Sequence, residues 1–350
     1  STPALQDGDL PIPTVHWTHP EFGLDITAFA SGTARRSQLV ARYVLTNTTD
    51  RQRDYVLALA ARPFQVNPPS QFLNTPGGVS PIHALDMAGQ TIVADGRPCV
   101  FMAQRPDAAF AGNFASGEAA TRLARDDTPG VVQATDDSGL ASGAVLYRVR
   151  LQPGERREFA WRAPLAGEGD PVAKFDPAAL QEQAAAGWRK KLDAVRISLP
   201  AQAKPLVETL HAALAHILMS RDGPELRPGT RSYARSWIRD GAMMNDALLR
   251  LGRGDVAADY VRWYAPHQFA DGKVPCCVDA RGSDPVPEND SQGELIHAVA
   301  QLYRYGHDRT LLESLWPRVS AAVAYMDKLR ASERTEASRA NNPAFFGMMP

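Results

Sequence analysis

The chain has 350 residues, 44% hydrophobic and 22% charged, with a formal net charge of -1, the composition of an ordinary globular protein long enough for two domains. That balance gives no general attraction for nucleic acid or an anionic membrane, and no run of Lys or Arg supplies one locally. No window reaches the roughly 18 uninterrupted apolar residues of a membrane span, and the first residues lack the charged head and apolar stretch of a signal peptide. The opening "STPALQDGDLPIPT" reads as a linker or a trimmed start. It leaves localisation open, with a periplasmic or secreted site favoured over the cytoplasm.

In chain order, the first elements are short alternating runs broken by turn residues: "GLDITAFA" after Phe22, "LVARYVLTN" from Leu39, and "YVLALAARPFQV" from Tyr55. In "AVLYRVRLQPGERREFAWRAPL" from Ala144, Val145, Tyr147, Val149 and Leu151 share one face and Arg148 and Arg150 the other, the period of a half-buried strand. "QPGE" supplies a turn and "EFAWRA" returns. Many such strands predict an antiparallel β-sandwich over residues 1–168.

The period changes at Asp176. Asp176 is placed as an N-cap and Pro177 as the first helical residue, followed by Leu180, Ala184, Trp188, Leu192 and Val195 at helical spacing. This predicts a helix within a linker over 169–202. From Pro205 the pattern is all helical, in five apolar stripes. They are Leu206, Leu210, Ala213, Leu214, Ile217 and Leu218; Met244, Ala247, Leu248 and Leu251; Val256, Tyr260, Trp263 and Tyr264; Leu295, Val299 and Leu302; and Leu312, Leu315, Val319, Ala322, Val323 and Met326. Alternately short and long connections suggest stacked helical hairpins over 203–350. A closed ring of twelve helices needs roughly 350 residues, so this region is expected to be an interrupted part of one.

Two stretches carry chemistry. "RSWIRDGAMMNDALLRL", from Arg235, sets Trp237, Arg239 and Asp240 just before a helix. Asp240 could complement the helix dipole, or an indole could stack on a sugar ring whose hydroxyls the Arg and Asp hold. The long loop between the third and fourth helices holds Asp271, Asp279, Asp284, Glu288, Asp290 and Glu294. Sugar hydrolysis needs two carboxyl groups flanking the scissile bond. Asp290, or Ser291 with Glu294, fits a helix cap, Asp279 and Asp284 read as solvated turn residues, and Glu288 has no evident local duty. Cys99, Cys276 and Cys277 read as buried thiols, without metal-type spacing. His16, His19, His211, His216, His267, His297 and His307 are scattered without ligand spacing, and read as structural or solvent-facing.

"SWIRDGAMMNDALLRLG" resembles the Trp-x-Arg-Asp-(Ser/Gly)-Ala start of the first active-site helix in glucoamylases and related six-hairpin glycoside hydrolases, which have an (α/α)6 barrel. "PENDSQGELIHAVAQLYRYGHDRTLLESLWPRVSAAVAYM" is similar to a later segment of that fold. The predicted sandwich and linker helix resemble the β-domain and connector that precede the barrel in bacterial members. The resemblance implies that Arg239 and Asp240 bind sugar hydroxyls, that Trp237 walls the same subsite, and that Asp290 caps a helix near the pocket. It also implies an exo-acting, inverting glycoside hydrolase acting on a carbohydrate substrate, without a metal or organic cofactor. The general acid of that family lies in a Leu-Trp-Glu segment, yet "NNPAFFGMMP" at the corresponding place has no carboxylate. Either the acid lies in a missing C-terminal part with which this chain associates, or Glu288 is the catalytic carboxylate, or the chain is not a hydrolase. A non-catalytic carbohydrate-binding or scaffold protein and a sugar phosphorylase are the alternatives on the same fold.

Overall fold

Alternating β-branched, aromatic and polar residues favour extended backbone through the first half of the chain, and Gly, Pro and Asn end each run. The computed structural model describes residues 1–67, 78–166, 174–230 and 233–349. The expected boundary at residues 168 and 169, and Pro350, lie outside them. The described residues form two compact units, one running to Lys191 and the other starting at Leu192.

The first unit contains β1 (Thr2–Gln6), β2 (Leu10–Thr18), β3 (Phe22–Thr33), β4 (Arg36–Asn47), β5 (Arg53–Ala61), β6 (Phe64–Asn67), β7 (Gly78–Ser80), β8 (Ala84–Asp86), β9 (Thr91–Ala94), β10 (Arg97–Met102) and β11 (Ala108–Gly112). After these come helix α1 (Ala119–Ala124), β12 (Gln133–Thr135), β13 (Ser142–Leu151), β14 (Arg156–Ala166) and helix α2 (Pro177–Leu192). Nine strands form an antiparallel sheet in the order β1-β2-β3-β4-β14-β10-β9-β8-β12, and β11, β13 and β5 form a second sheet. Leu24, Leu45, Met102 and Phe159 of the first sheet share one core with Leu57, Val145, Tyr147 and Leu151 of the second. The Tyr147 and Phe159 rings lie 4.6 Å apart. Each side chain buried this way contributes roughly 1.5–3 kcal/mol. The unit is therefore the expected β-sandwich.

Three details differ from expectation. Glu155 N donates to Gln152 O at 3.0 Å and Gly154 takes a φ of 75°, so "QPGE" is a turn. The strands it joins do not pair, however, because β13 is flanked by β5 and β11 while β14 is flanked by β4 and β10. Both edges of β13 are occupied, so the turn carries the chain from one layer to the other. Asn47, at the end of β4, ties this corner by donating to Leu151 O at 2.9 Å and Arg51 O at 2.8 Å. The start of β13 is also buried on both faces, because Ala144 and Leu146 pack with Phe110 and with Ala119 of α1. In α2, Asp176 caps as expected, accepting from the Ala178 and Ala179 amides at 2.9 and 3.1 Å. Val195 falls beyond the helix end and is exposed.

The second unit contains α3 (Lys204–Met219), β15 (Ser236–Trp237), α4 (Ile238–Arg250), α5 (Gly254–Tyr264), β16 (Cys277–Asp279), β17 (Gly282–Ser283), α6 (Ser291–Gly306), α7 (Arg309–Ser332) and α8 (Glu336–Asn341). No helix among the described residues is long and apolar enough to cross a membrane. The region read as all helical thus includes a small sheet, β15-β16-β17. The stripe expected on α3 is split, because Leu206 and Leu210 are exposed while His211, Leu214 and Ala215 are buried. Ile238, Leu248, Val256, Tyr260, Tyr264, Leu295 and Val299 fill the core of α4, α5 and α6. Gly241 allows the closest approach, since a Cβ there would meet the Tyr260 hydroxyl oxygen at 1.9 Å.

Arg235 sits at the base of the small sheet, only 7% exposed. Its Nε lies 2.8 Å from Asp279 Oδ2, and its Nη2 donates to Asp284 Oδ2 at 2.7 Å. Asp279 and Asp284 are therefore not free turn residues: a buried guanidinium needs opposite charge beside it, and they provide it. The hydrogen bond from Arg281, together with the charge of Arg235, holds the Asp279 carboxyl down to about 2 from an ordinary 3.8.

Two outcomes follow for stability. Gly241→Ala should destabilise by about 1–3 kcal/mol through overpacking, read as a lower urea midpoint at unchanged slope; an unchanged midpoint would mean that Tyr260 yields without cost. Asp279 is depressed in the folded state, so its stabilisation is complete above pH 3.8 and is lost as pH falls from 3.8 toward about 2. Asp279→Asn should therefore flatten the fall in urea midpoint between about pH 5 and pH 2.5, and an equally steep fall in the variant would assign the acid sensitivity elsewhere.

Candidate functional site

The head of α4 is set by its extended neighbour. Trp237 pairs with Cys277 across β15 and β16, and Ile238 N donates to Cys276 O at 3.0 Å. Trp237 keeps an extended φ of -91° and ψ of 131° as the N-cap residue, so the helix begins at Ile238 with Asp240 in its first turn. A carboxylate there complements the positive end of the helix dipole. The indole is half-buried, with the Arg235 guanidinium 5.5 Å from its ring centre and Tyr233 at 6.4 Å.

Arg239 reaches toward the loop before α6. Its Nη1 donates to Glu288 Oε2 and Asp290 Oδ2, each at 2.8 Å. The two carboxylates, Asp290 first, stabilise its charge further. Asp290 occupies the N-cap position of α6, but its side chain accepts nothing from the helix amides and binds Arg239 instead. The capping expected of Asp290 is thus replaced by an ion pair, because a guanidinium from the neighbouring helix lies within reach. Ser291, expected to start a capping box with Glu294, lies inside α6 and is fully buried.

Asp240 faces elsewhere. It lines an open pocket of about 740 Å³ together with His216, Arg227, Thr230, Met243 and Met244 among others. No described residue hydrogen-bonds to its carboxylate. Arg227, on the same wall, is held by Asp222 and Glu225 at 2.9 and 2.7 Å. Trp237, Arg239, Glu288 and Asp290 are not part of this lining. Of the expected site residues, the structure thus gathers Arg239, Glu288 and Asp290 into one cluster, puts Asp240 alone on the pocket, and sets Trp237 against Arg235.

Several polar residues to which the sequence reading gave no site role lie close by. Burial raises the Glu294 carboxyl, with the charge of Asp290 adding to it. Burial likewise pushes up the Tyr260 hydroxyl, with the charges of Asp240 and Glu294 adding. Asn245 on α4 and Gln292 on α6 are essentially fully buried, with both amide atoms of each unpaired among the described residues. His297 lies 3.2 Å from Asp246. Arg235 had a readable signal, standing two residues before Trp237; Tyr260, Asn245 and Gln292 sit in apolar stripes and had none. Cys276, Cys277 and Asp284 bring ligand atoms within 4.8 Å of one another. Arg235 already occupies the Asp284 carboxylate, which leaves two thiols as donors.

No family model matches the sequence, and no curated protein matches it. Among solved structures, a bacterial glucoamylase complexed with acarbose matches with a TM-score of 0.61 and 13% identity over 91% of this chain. The chain spans about half of that structure, 48% of its length. An alpha-mannosidase of family GH92 from Bacteroides thetaiotaomicron matches at 9% identity over 95% of this chain and 50% of its own, with a TM-score of 0.34, too distant to carry an argument. The chain therefore shares its fold with about half of that glucoamylase: an N-terminal antiparallel β-sandwich, then a helix and a helical unit.

Proposed function

We propose that the chain belongs to a carbohydrate-active enzyme, a glycoside hydrolase that binds a sugar ring at the head of α4. The observation that carries this reading is Asp240: an acceptor-only carboxylate, unpaired among the described residues, on a pocket of about 740 Å³, in a fold shared with a glucoamylase. Sugar hydroxyls are donors that such a group takes up with charge-assisted hydrogen bonds. Arg239, oriented by Glu288 and Asp290, supplies donors on the neighbouring side, and the Trp237 indole offers an apolar face for a ring.

Glu288 is the proposed catalytic carboxylate. Arg239 holds its Oε2, an arrangement that suits a base activating water rather than a proton donor. Inversion requires a second carboxyl about 6.5–9.5 Å away, and in this reading a further part of the protein, C-terminal to the chain, supplies it. The exo-acting, inverting character rests on the motif resemblance around Trp237, Arg239 and Asp240.

The test is an assay of the full-length protein on aryl glycosides and oligosaccharides, with and without phosphate, beside Asp240→Ala and Glu288→Gln. Hydrolysis of at least one substrate without phosphate is expected, with kcat/KM lowered about 100-fold or more, roughly 2.7 kcal/mol, by Asp240→Ala. Glu288→Gln should lower kcat by a similar factor, whereas a rise in KM alone would make it an orienting residue for Arg239. Turnover that needs phosphate would indicate a phosphorylase, and binding without turnover a carbohydrate-binding protein. A protein that neither binds nor cleaves any of these sugars would end the reading.

A further inference from the structure

Cys276 and Cys277 are neighbours in sequence, are buried, and hold their Sγ atoms 3.0 Å apart. They join the long loop to β16, the strand that pairs with Trp237. Nothing in the proposed sugar chemistry uses them. We propose that Cys276 and Cys277 form a reversible two-electron redox site, oxidised by a peroxide to a disulfide between adjacent residues.

The two thiols are not equivalent. The hydrogen bond between the two sulfurs lowers the Cys276 thiol, against burial and the charges of Asp284 and Glu288, and raises that of Cys277, with burial adding. Cys276 is thus the attacking sulfur and Cys277 the resolving one. In the first step the Cys276 thiolate takes an oxygen from hydrogen peroxide, giving a sulfenic acid and, after protonation, water. In the second the Cys277 sulfur displaces that oxygen as a second water, and the S–S bond forms. Two thiols lose two electrons and two protons, and one peroxide becomes two waters. Peroxide is small enough to enter a buried site through local opening of the short sheet.

The product is strained. Adjacent Cα atoms lie about 3.8 Å apart across a trans peptide, against about 4.4–6.8 Å for an ordinary disulfide. Strained disulfides are readily reduced. Closure has to rotate the Cys276–Cys277 peptide, whose carbonyl accepts from Ile238 N at 3.0 Å, so oxidation acts on the start of α4 and on Trp237.

The experiment treats the full-length protein with hydrogen peroxide, alkylates it after denaturation, and maps the peptide spanning residues 274–281. The expected result is a loss of about 2 Da on that peptide with no alkylation of Cys276 or Cys277, while glutathione restores both labels. Cys99→Ser, in the other unit, should behave identically. Cys277→Ser should instead carry added oxygen on Cys276. A peptide of the unmodified protein that stays fully alkylated at peroxide levels that oxidise Cys99, or that gains oxygen without losing hydrogen, would overturn the proposal. These readouts do not depend on any sugar activity, and the mass of the unmodified protein decides the matter even where a serine variant does not fold.

Discussion

The guanidinium of Arg235 is the constraint on which the candidate site rests. A positive charge at 7% exposure is tolerated only because Asp279 and Asp284 meet it at 2.8 and 2.7 Å. These partners come from the long loop, between forty and fifty residues further along, so one side chain fixes a loop against the strand that precedes α4. Trp237 is two residues further along, on the strand that Arg235 precedes, and packs with its indole 5.5 Å from the same guanidinium. Removing Arg235 would leave Asp284 without its cation while Asp279 keeps Arg281, and removing both carboxylates would leave a buried, unpaired guanidinium.

Helix geometry then distributes the charges at the head of α4. Successive residues in an α-helix point about 100° apart, so adjacent Arg239 and Asp240 face different sides of the helix. Arg239 turns toward α6 and takes both Glu288 and Asp290, while Asp240 turns toward the α3 side and lines the pocket with His216 and Thr230. Gly241 completes the arrangement: without a side chain it lets Tyr260 of α5 come against α4. A half-exposed ion-pair cluster and an unpaired carboxylate thus sit on neighbouring faces of one helical turn.

The sandwich unit obeys a different economy of contacts. Its nine-stranded and three-stranded sheets share one core through Tyr147 and Phe159, and the chain changes layer at the "QPGE" turn instead of closing a hairpin there. Asn47 holds that corner by bonding two main-chain carbonyls, including one at the end of β13. Interior packing and a single satisfied polar anchor therefore replace the ladder that a hairpin would have formed.

By itself the sequence determined the two structural periods, the Asp176 cap and the presence of a helix at the Trp-x-Arg-Asp motif, although that helix begins at Ile238 and takes in Arg239 and Asp240, which were read as preceding it. These are local or repetitive signals: alternation, capping chemistry, and spacing along one face. Only the tertiary structure decided that β13 and β14 enter different sheets, that Asp279 and Asp284 bind Arg235 instead of water, and that Asp290 binds Arg239 instead of capping α6. A carboxylate's local spacing is the same whether it caps a helix, faces solvent or meets a cation. Which of these it does depends on charges brought near by residues some fifty positions away, and no local pattern records that distance.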